Sequence, residues 1–152
     1  MTGMSAATTG IGHTRWATHG KPSDQNAHPH LSCGGEVVVI HNGIVENYAE
    51  LRSELVARGH QFRSETDTET IAHLMEERVK AGESLLDALR GSAGLLAGSQ
   101  AIVAMSPDEA GVMVAARLGN AGGVVIGYGE GEMVLASDLA AVLPVTQRVA
   151  FL

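Results

Sequence analysis

The stretch Glu36-Val-Val-Val-Ile-His41-Asn-Gly-Ile-Val-Glu46-Asn-Tyr-Ala-Glu-Leu51-Arg-Ser-Glu-Leu55-Val-Ala-Arg58 decides how the chain folds. Glu36 to His41 is a short β-branched run and reads as a buried strand. Glu46 to Arg58 reads as a helix, with Leu51, Leu55 and Val56 expected on one face and Gly59 as its stop. Between the two lies Asn42-Gly43. Asn-Gly is a strong hairpin signal, but the pattern that follows is helical rather than a returning strand. The other reading is chemical. A side-chain amide beside an unhindered backbone N–H makes a two-donor hole for an oxyanion. On these residues alone the two readings stand level.

Downstream, Thr66-x-x-Glu69 has the form of a capping box. The helix it opens carries Ile71, Leu74, Met75 and Val79 at helical spacing and stops before Gly82. Glu83 to Arg90 reads as a shorter third helix. Beyond Gly98 the period changes. Gln100 to Met105, Gly111 to Arg117, Val124 to Gly127, Glu132 to Ala136 and Arg148 to Leu152 read as strands between Gly, Pro and Asp turns. A strand, then helices, then a run of strands predicts an α+β fold with antiparallel sheet rather than alternating βαβ units. Upstream, Ile11 to Gly35 is rich in Gly, His, Pro and Asn. It reads as a long irregular segment of the kind usually kept for function. Residues 1–10 read as an irregular or disordered end, which leaves 11–152 as one domain.

Composition narrows the function classes. A chain of 152 residues that is 45% hydrophobic but only 3% aromatic builds its core from Val, Leu, Ile, Ala and Met. A net charge of −7 disfavours nucleic acid, which wants a basic face. One cysteine rules out a disulfide framework and suits a reducing compartment. The first ten residues lack the features of a signal peptide, and no apolar run reaches membrane-spanning length. A cytoplasmic protein with no membrane partner is expected.

Several residues invite chemistry. Arg15 presents a planar fork that matches a carboxylate, with Trp16, Thr18 and His19 placed to form wall and hydrogen bonds. Taken alone, it also reads as a surface arginine beside a core tryptophan. Asp67, at the start of the second helix, suits an ammonium group, or else simply complements the helix dipole. Seven histidines, among them His28-x-His30 with His13, His19 and His41 nearby, raise the question of metal. No Cys-x-x-Cys or His-Glu-x-x-His spacing supports it, so no metal and no cofactor are expected. Cys33 reads as a small buried hydrophobe rather than a nucleophile.

Taken together, His13-Thr-Arg-Trp-Ala-Thr-His19-Gly, Asn26-Ala-His-Pro-His30, His41-Asn-Gly-Ile-Val-Glu-Asn47 and Ser64-Glu-Thr-Asp-Thr-Glu69 resemble the glutaminase part of the glutamine–fructose-6-phosphate aminotransferase family. More broadly they resemble class II, N-terminal-nucleophile glutamine amidotransferases. The resemblance is dense from Ile11 to Glu69 and looser to the C-terminus. It implies a four-layer αββα sandwich. It implies that Arg15 binds the glutamine α-carboxylate, with Trp16, Thr18 and His19 shaping that pocket. Asn42 and Gly43 would form the oxyanion hole, and Asp67 would take the α-ammonium. L-glutamine is the implied substrate. Fructose 6-phosphate would be reached only through sugar-isomerase domains.

Three departures from the family pattern shape the expectation. No Cys-Gly-Ile-Val-Gly opening strand precedes Ile11, and none of the residues before it is a cysteine. No sugar-isomerase sequence follows Phe151-Leu152. Ala116-Arg-Leu-Gly-Asn-Ala-Gly-Gly123 replaces an Arg-x-Gly-Ser-Pro-Leu pattern. The expectation is an incomplete sandwich, inactive by itself. The alternative is a non-catalytic glutamine-binding module that a complementing chain completes, and a homo-oligomer is left open.

Overall fold

Four antiparallel strands form the first sheet, in the order β1 (His30–Leu31), β2 (Val38–Gly43), β3 (Gln100–Met105), β4 (Met113–Leu118). The computed structural model describes residues 7–16 and 19–152. Three helices cover one face of this sheet: α1 (Tyr48–Ala57), α2 (Thr68–Lys80) and α3 (Leu85–Ala93). A second antiparallel sheet has the order β6 (Met133–Ala136), β5 (Val125–Tyr128), β7 (Val149–Phe151), and α4 (Leu139–Val142) packs on it. The layers run helix, sheet, sheet, helix. This is the αββα sandwich of an α+β protein.

Strand alternation sorts the side chains. Val37, Val39, Ile102, Ala104 and Val114 face the helices and meet Leu55, Ile71, Met75, Leu85 and Leu89 in the main core. Ile40, Asn42, Ala101 and Val103 face the second sheet. There the buried cluster is small: Ala101, Ala121 and Val124, with Ala115 and Leu135 against them. The β2–β3 register pairs Val39 with Ala104 and Gly43 with Gln100, so β2 is held along its whole length.

The Asn42-Gly43 hairpin does not form. Gly43 ends β2, and the chain turns at Val45–Tyr48 into α1. Val56 does not share the buried face of Leu51 and Leu55. It is 53% exposed, because it sits one residue, about a quarter turn, past Leu55. The Thr66–Glu69 capping box also takes another form. Asp67 is the N-cap of α2, and its side chain makes no cap bond. Glu69 reaches further back and accepts from the N–H groups of Arg63 and Ser64, at 2.7 Å each, and from Ser64 Oγ at 2.6 Å. Burial alone would raise the Glu69 pKa, but these donors and His73 hold it at about 2.

The turn that replaces the family's Ser-Pro pattern is held by Arg117. Its Nε donates to the carbonyls of Ala121 and Gly122. Ser99 Oγ accepts from Asn120 N–H across the same turn. No described helix is long and apolar enough to cross a membrane.

Candidate active site

The C-terminal end of β2, the N-terminal end of α2 and the residues His13, Arg15, Trp16 and His19 meet around one pocket of about 90 Å³. Arg15, Trp16, His19, Asn42, Gly43 and Asp67 all line it. Thr18 lies outside the described residues. His13, His28, His41, Thr66 and Thr68 complete the lining. None of these five was assigned a pocket role from sequence. His13, His28 and His41 stand inside the quoted motifs, but nothing in their spacing distinguishes a pocket histidine from a packed one.

Asn42 is fixed by His13. The His13 Nε2–H donates to Asn42 Oδ1 at 2.9 Å, and His13 Nδ1 accepts the Arg15 N–H at 2.8 Å. Because the Oδ1 side is engaged, the Asn42 amide turns its NH₂ away from His13. Gly43 has φ +131°, and a Cβ there would collide with the Ser99 carbonyl oxygen. Glycine is therefore required by the backbone itself, whatever approaches it.

Below these two residues lies a buried polar chain. His41 Nε2–H donates to Gln100 Oε1 at 2.6 Å, and Gln100 Nε2 donates onward to the carbonyls of Ile44 and Ala97. On its other side, His41 Nδ1 lies 3.1 Å from Thr68 Oγ1, which lies 3.1 Å from His28 Nε2. Burial pushes the His41 pKa down despite the opposing pull of Asp67. Burial, then the neighbouring His13, His30, His41 and Arg15, push His28 down to about 3. His30 is also lowered by burial. These rings are neutral at neutral pH, so the proton order is set. His28 Nε2–H donates to Thr68, and the Thr68 hydroxyl donates to His41 Nδ1.

Asp67 is buried at the base of the pocket. Its Oδ2 accepts the Val45 N–H at 2.8 Å, which ties the turn after β2 to the start of α2. Its Oδ1 is 4.0 Å from His19 Nδ1. Arg15 has φ +50°, and its guanidinium folds back on its own loop. Both N–H groups of Nη2 are used, by His19 O at 2.7 Å and Gly20 O at 2.9 Å, while Nη1 reaches Lys21 O at 3.4 Å. Trp16 stands at the rim, 90% exposed, rather than forming an enclosed wall.

A second cavity of about 350 Å³ opens between the two sheets, lined by Ile40, Val103, Met113 and Leu135 among others. It shares His13, His41 and Asn42 with the first pocket. Cys33 lines neither cavity. It is half-buried beside His60 and His73, not packed as a simple hydrophobe.

The comparisons with known proteins bear on this geometry. Residues 13–144 match the glutamine amidotransferase domain family. Proteins named glutamine–fructose-6-phosphate aminotransferase [isomerizing] are similar over nearly the whole chain. The Thermus thermophilus protein is 54% identical over 94% of the chain, and that of Streptomyces coelicolor is 53% identical over 95%. The Thermococcus kodakarensis protein is 52% identical over 94%. The chain spans 23% of the length of each of these relatives. Among solved structures, glutamine phosphoribosylpyrophosphate amidotransferase from B. subtilis superposes with a TM-score of 0.69 at 27% identity, covering 92% of this chain and 29% of that one. With its αββα layers and the match over 13–144, this chain belongs to the glutamine amidotransferase domain family.

Proposed function

We propose that this domain binds L-glutamine in the pocket at the end of β2 and presents its side-chain amide for hydrolysis. The observation that carries this reading is the convergence of Arg15, Asn42, Gly43 and Asp67 on one pocket. In this reading Arg15 takes the α-carboxylate and Asp67 the α-ammonium. A thiolate adds to the amide carbon. The oxyanion that forms is met by the Asn42 amide N–H and the Gly43 backbone N–H. The proton that the thiol gave up passes to the nitrogen as the C–N bond breaks and ammonia leaves, and water then hydrolyses the thioester to glutamate and the free thiol. The buried His41–Thr68–His28 chain holds the floor of this site rather than taking part in proton transfer. Following the names of its relatives, the ammonia would aminate fructose 6-phosphate at a site formed by sequence outside residues 1–152.

The one cysteine of these 152 residues lies away from the pocket, so the thiolate would have to arrive from another segment. One observation favours such a segment. The cleft of about 350 Å³ between the sheets is lined by apolar residues such as Ile40, Val103 and Leu135 together with His13, His41 and Asn42, which suits a strand that brings a reactive end to the pocket. The second reading, a glutamine-binding module completed by a partner chain, rests on the same cleft.

Isothermal calorimetry and ammonia release test both readings. The chain binds L-glutamine, and Asp67→Asn or Arg15→Ala removes that binding. Alone it releases no ammonia above background, and Cys33→Ala changes nothing. A peptide that carries an N-terminal cysteine on an apolar strand restores release. Turnover by the chain alone would overturn this account. If Cys33→Ala then abolished it, Cys33 would be the nucleophile.

A further inference from the structure

We infer that Cys33, His60, His73 and Glu76 form a binding site for one zinc-type metal ion, separate from the glutamine pocket. Cys33 lies in the loop after β1 and His60 in the loop after α1. His73 and Glu76 stand three residues apart on α2, on one face of the helix. Their ligand atoms all lie within 4.8 Å of one another. The two Nδ1 atoms are 3.3 Å apart. Each also lies near Glu76 Oε2, at 3.1 Å from His60 and 3.0 Å from His73. Cys33 Sγ is 3.8 Å from His60 Nδ1 and 3.6 Å from His73 Nδ1. Zinc–nitrogen and zinc–sulfur bonds at tetrahedral angles separate two nitrogens by about 3.3 Å, and a nitrogen from a sulfur by about 3.6 Å. The five edges that include a histidine nitrogen, 3.0 to 3.8 Å, are close to that tetrahedron, and the sulfur-to-carboxylate edge, within 4.8 Å, closes on it when an ion draws the thiolate in.

The surroundings repeat the pattern of a built site. Each ring turns its other nitrogen to a carboxylate: His60 Nε2 to Glu77 Oε1 at 3.1 Å, and His73 Nε2 to Glu69 Oε1 at 3.6 Å. Glu76 turns its other oxygen to Lys80 Nζ at 2.6 Å. Metal-binding histidines are held in this way, by carboxylates behind them. Without the ion, a proton must bridge the same contacts: both rings face acceptors on both nitrogens, and against its burial the Glu69 and Glu76 carboxylates raise the His73 pKa. His73 Nε2 is fully buried without a hydrogen-bond partner. A cation accepting the Nδ1 lone pairs leaves each N–H on Nε2, where Glu77 and Glu69 wait.

One thiolate, two imidazoles and one carboxylate suit zinc rather than magnesium or calcium, which prefer oxygen ligands. Thiolate and carboxylate together balance a dication. Four protein ligands leave no open position, so the ion is structural: it ties the loops after β1 and α1 to α2. Cys33, His60 and Glu76 border an open surface hollow, which gives the ion a way in.

The test uses the whole chain, stripped with chelator and titrated with Zn²⁺ and, separately, with Co²⁺. One ion binds per chain. The Co²⁺ form shows the intense visible bands of a tetrahedral site and a thiolate-to-cobalt charge-transfer band in the near ultraviolet. Zn²⁺ raises the unfolding midpoint. Cys33→Ala abolishes the charge-transfer band and weakens zinc by more than about a hundredfold, while Glu77→Gln, which removes only the support behind His60, costs about tenfold to a hundredfold. Cys33 and His60 lie outside the main hydrophobic core, so Cys33→Ala and His60→Ala leave that core intact. The spectrum of the unmodified chain needs no variant at all. Binding without the charge-transfer band would put the metal on the pocket histidines instead and overturn the inference. Absence of stoichiometric binding would do the same.

Discussion

On its helix side, the first sheet meets Leu55, Ile71, Met75, Leu85 and Leu89 in a continuous core. On its other side, Ile40, Val103 and Met113 look into a cleft of about 350 Å³, and the buried contact between the sheets rests on Ala101, Ala121 and Val124. One sheet thus has a filled face and an open face. Asn42 points to the open face, while the ring of its neighbour His41 is held by Thr68 and Gln100. Stability and access are divided between the two sides of a single strand.

Substitutions on the two faces should therefore differ sharply. Leu55→Ala, fully buried on the filled face, lowers unfolding free energy in urea by about 2–5 kcal/mol. A loss below 1 kcal/mol would mean that the filled face can collapse around a void and that the contrast is weak. Gly43→Ala sits where the faces meet. It forces a side chain into a glycine-only conformation against the Ser99 carbonyl, at roughly 3 kcal/mol. Calorimetric unfolding checks it, and an unchanged midpoint would show that β2 can end differently.

Asp67→Ala leaves the buried Val45 N–H without its acceptor and costs about 1.5–3 kcal/mol, in addition to any loss of ligand. Asp67→Asn keeps an acceptor and costs less, so comparing the pair separates scaffold from binding.

Acid reads the filled face in another way. The unfolded His28 titrates near 6.5 and the folded one near 3, so below pH 6.5 only the unfolded chain takes up that proton. Stability therefore falls as pH drops from 6.5, and His28→Gln flattens the slope. Glu69, held at about 2 against 4.5, keeps its full stabilising effect down to pH 4.5 and loses it below. The interval from 6.5 to 4.5 thus isolates the histidines. A flat urea midpoint across it would break the assignment of neutral, buried rings. The smallest effect is expected on the open face. Val103→Ala, which borders the cleft, costs under about 1 kcal/mol. A larger loss would mean that the cleft is packed in solution.

Most elements were legible because their signals are local. Gln100–Met105 was read to the residue, and the three long helices and the remaining strands of four or more residues within two or three positions. β1 and α4 were not. Two residues and four residues carry no period, and their existence depends on what packs beside them. Val56 was misassigned because helical spacing alone does not say where a buried stripe ends. For the pocket, the motif residues were legible by resemblance. Their hydrogen-bond partners were not, because His13 to Asn42 and His28 to Thr68 are contacts between segments 29 and 40 residues apart. The Cys33 cluster was invisible for the same reason. Its ligands come from three elements and follow no metal-binding spacing in sequence.

In the proposed binding mode, the posture of Arg15 has a kinetic consequence. A carboxylate gripped by two parallel bonds needs an Nη2 hydrogen, and both are spent on the carbonyls of His19 and Gly20. A ligand must displace at least one of them before the fork can close on it. Docking then includes release of the Arg15 guanidinium from the His19 and Gly20 carbonyls, and association is slower than diffusion and pocket size alone would set. In the proposed binding mode the arginine would be a latch that the ligand itself must lift, and the rate of capture, more than its final strength, would record how firmly Arg15 is fastened to those carbonyls.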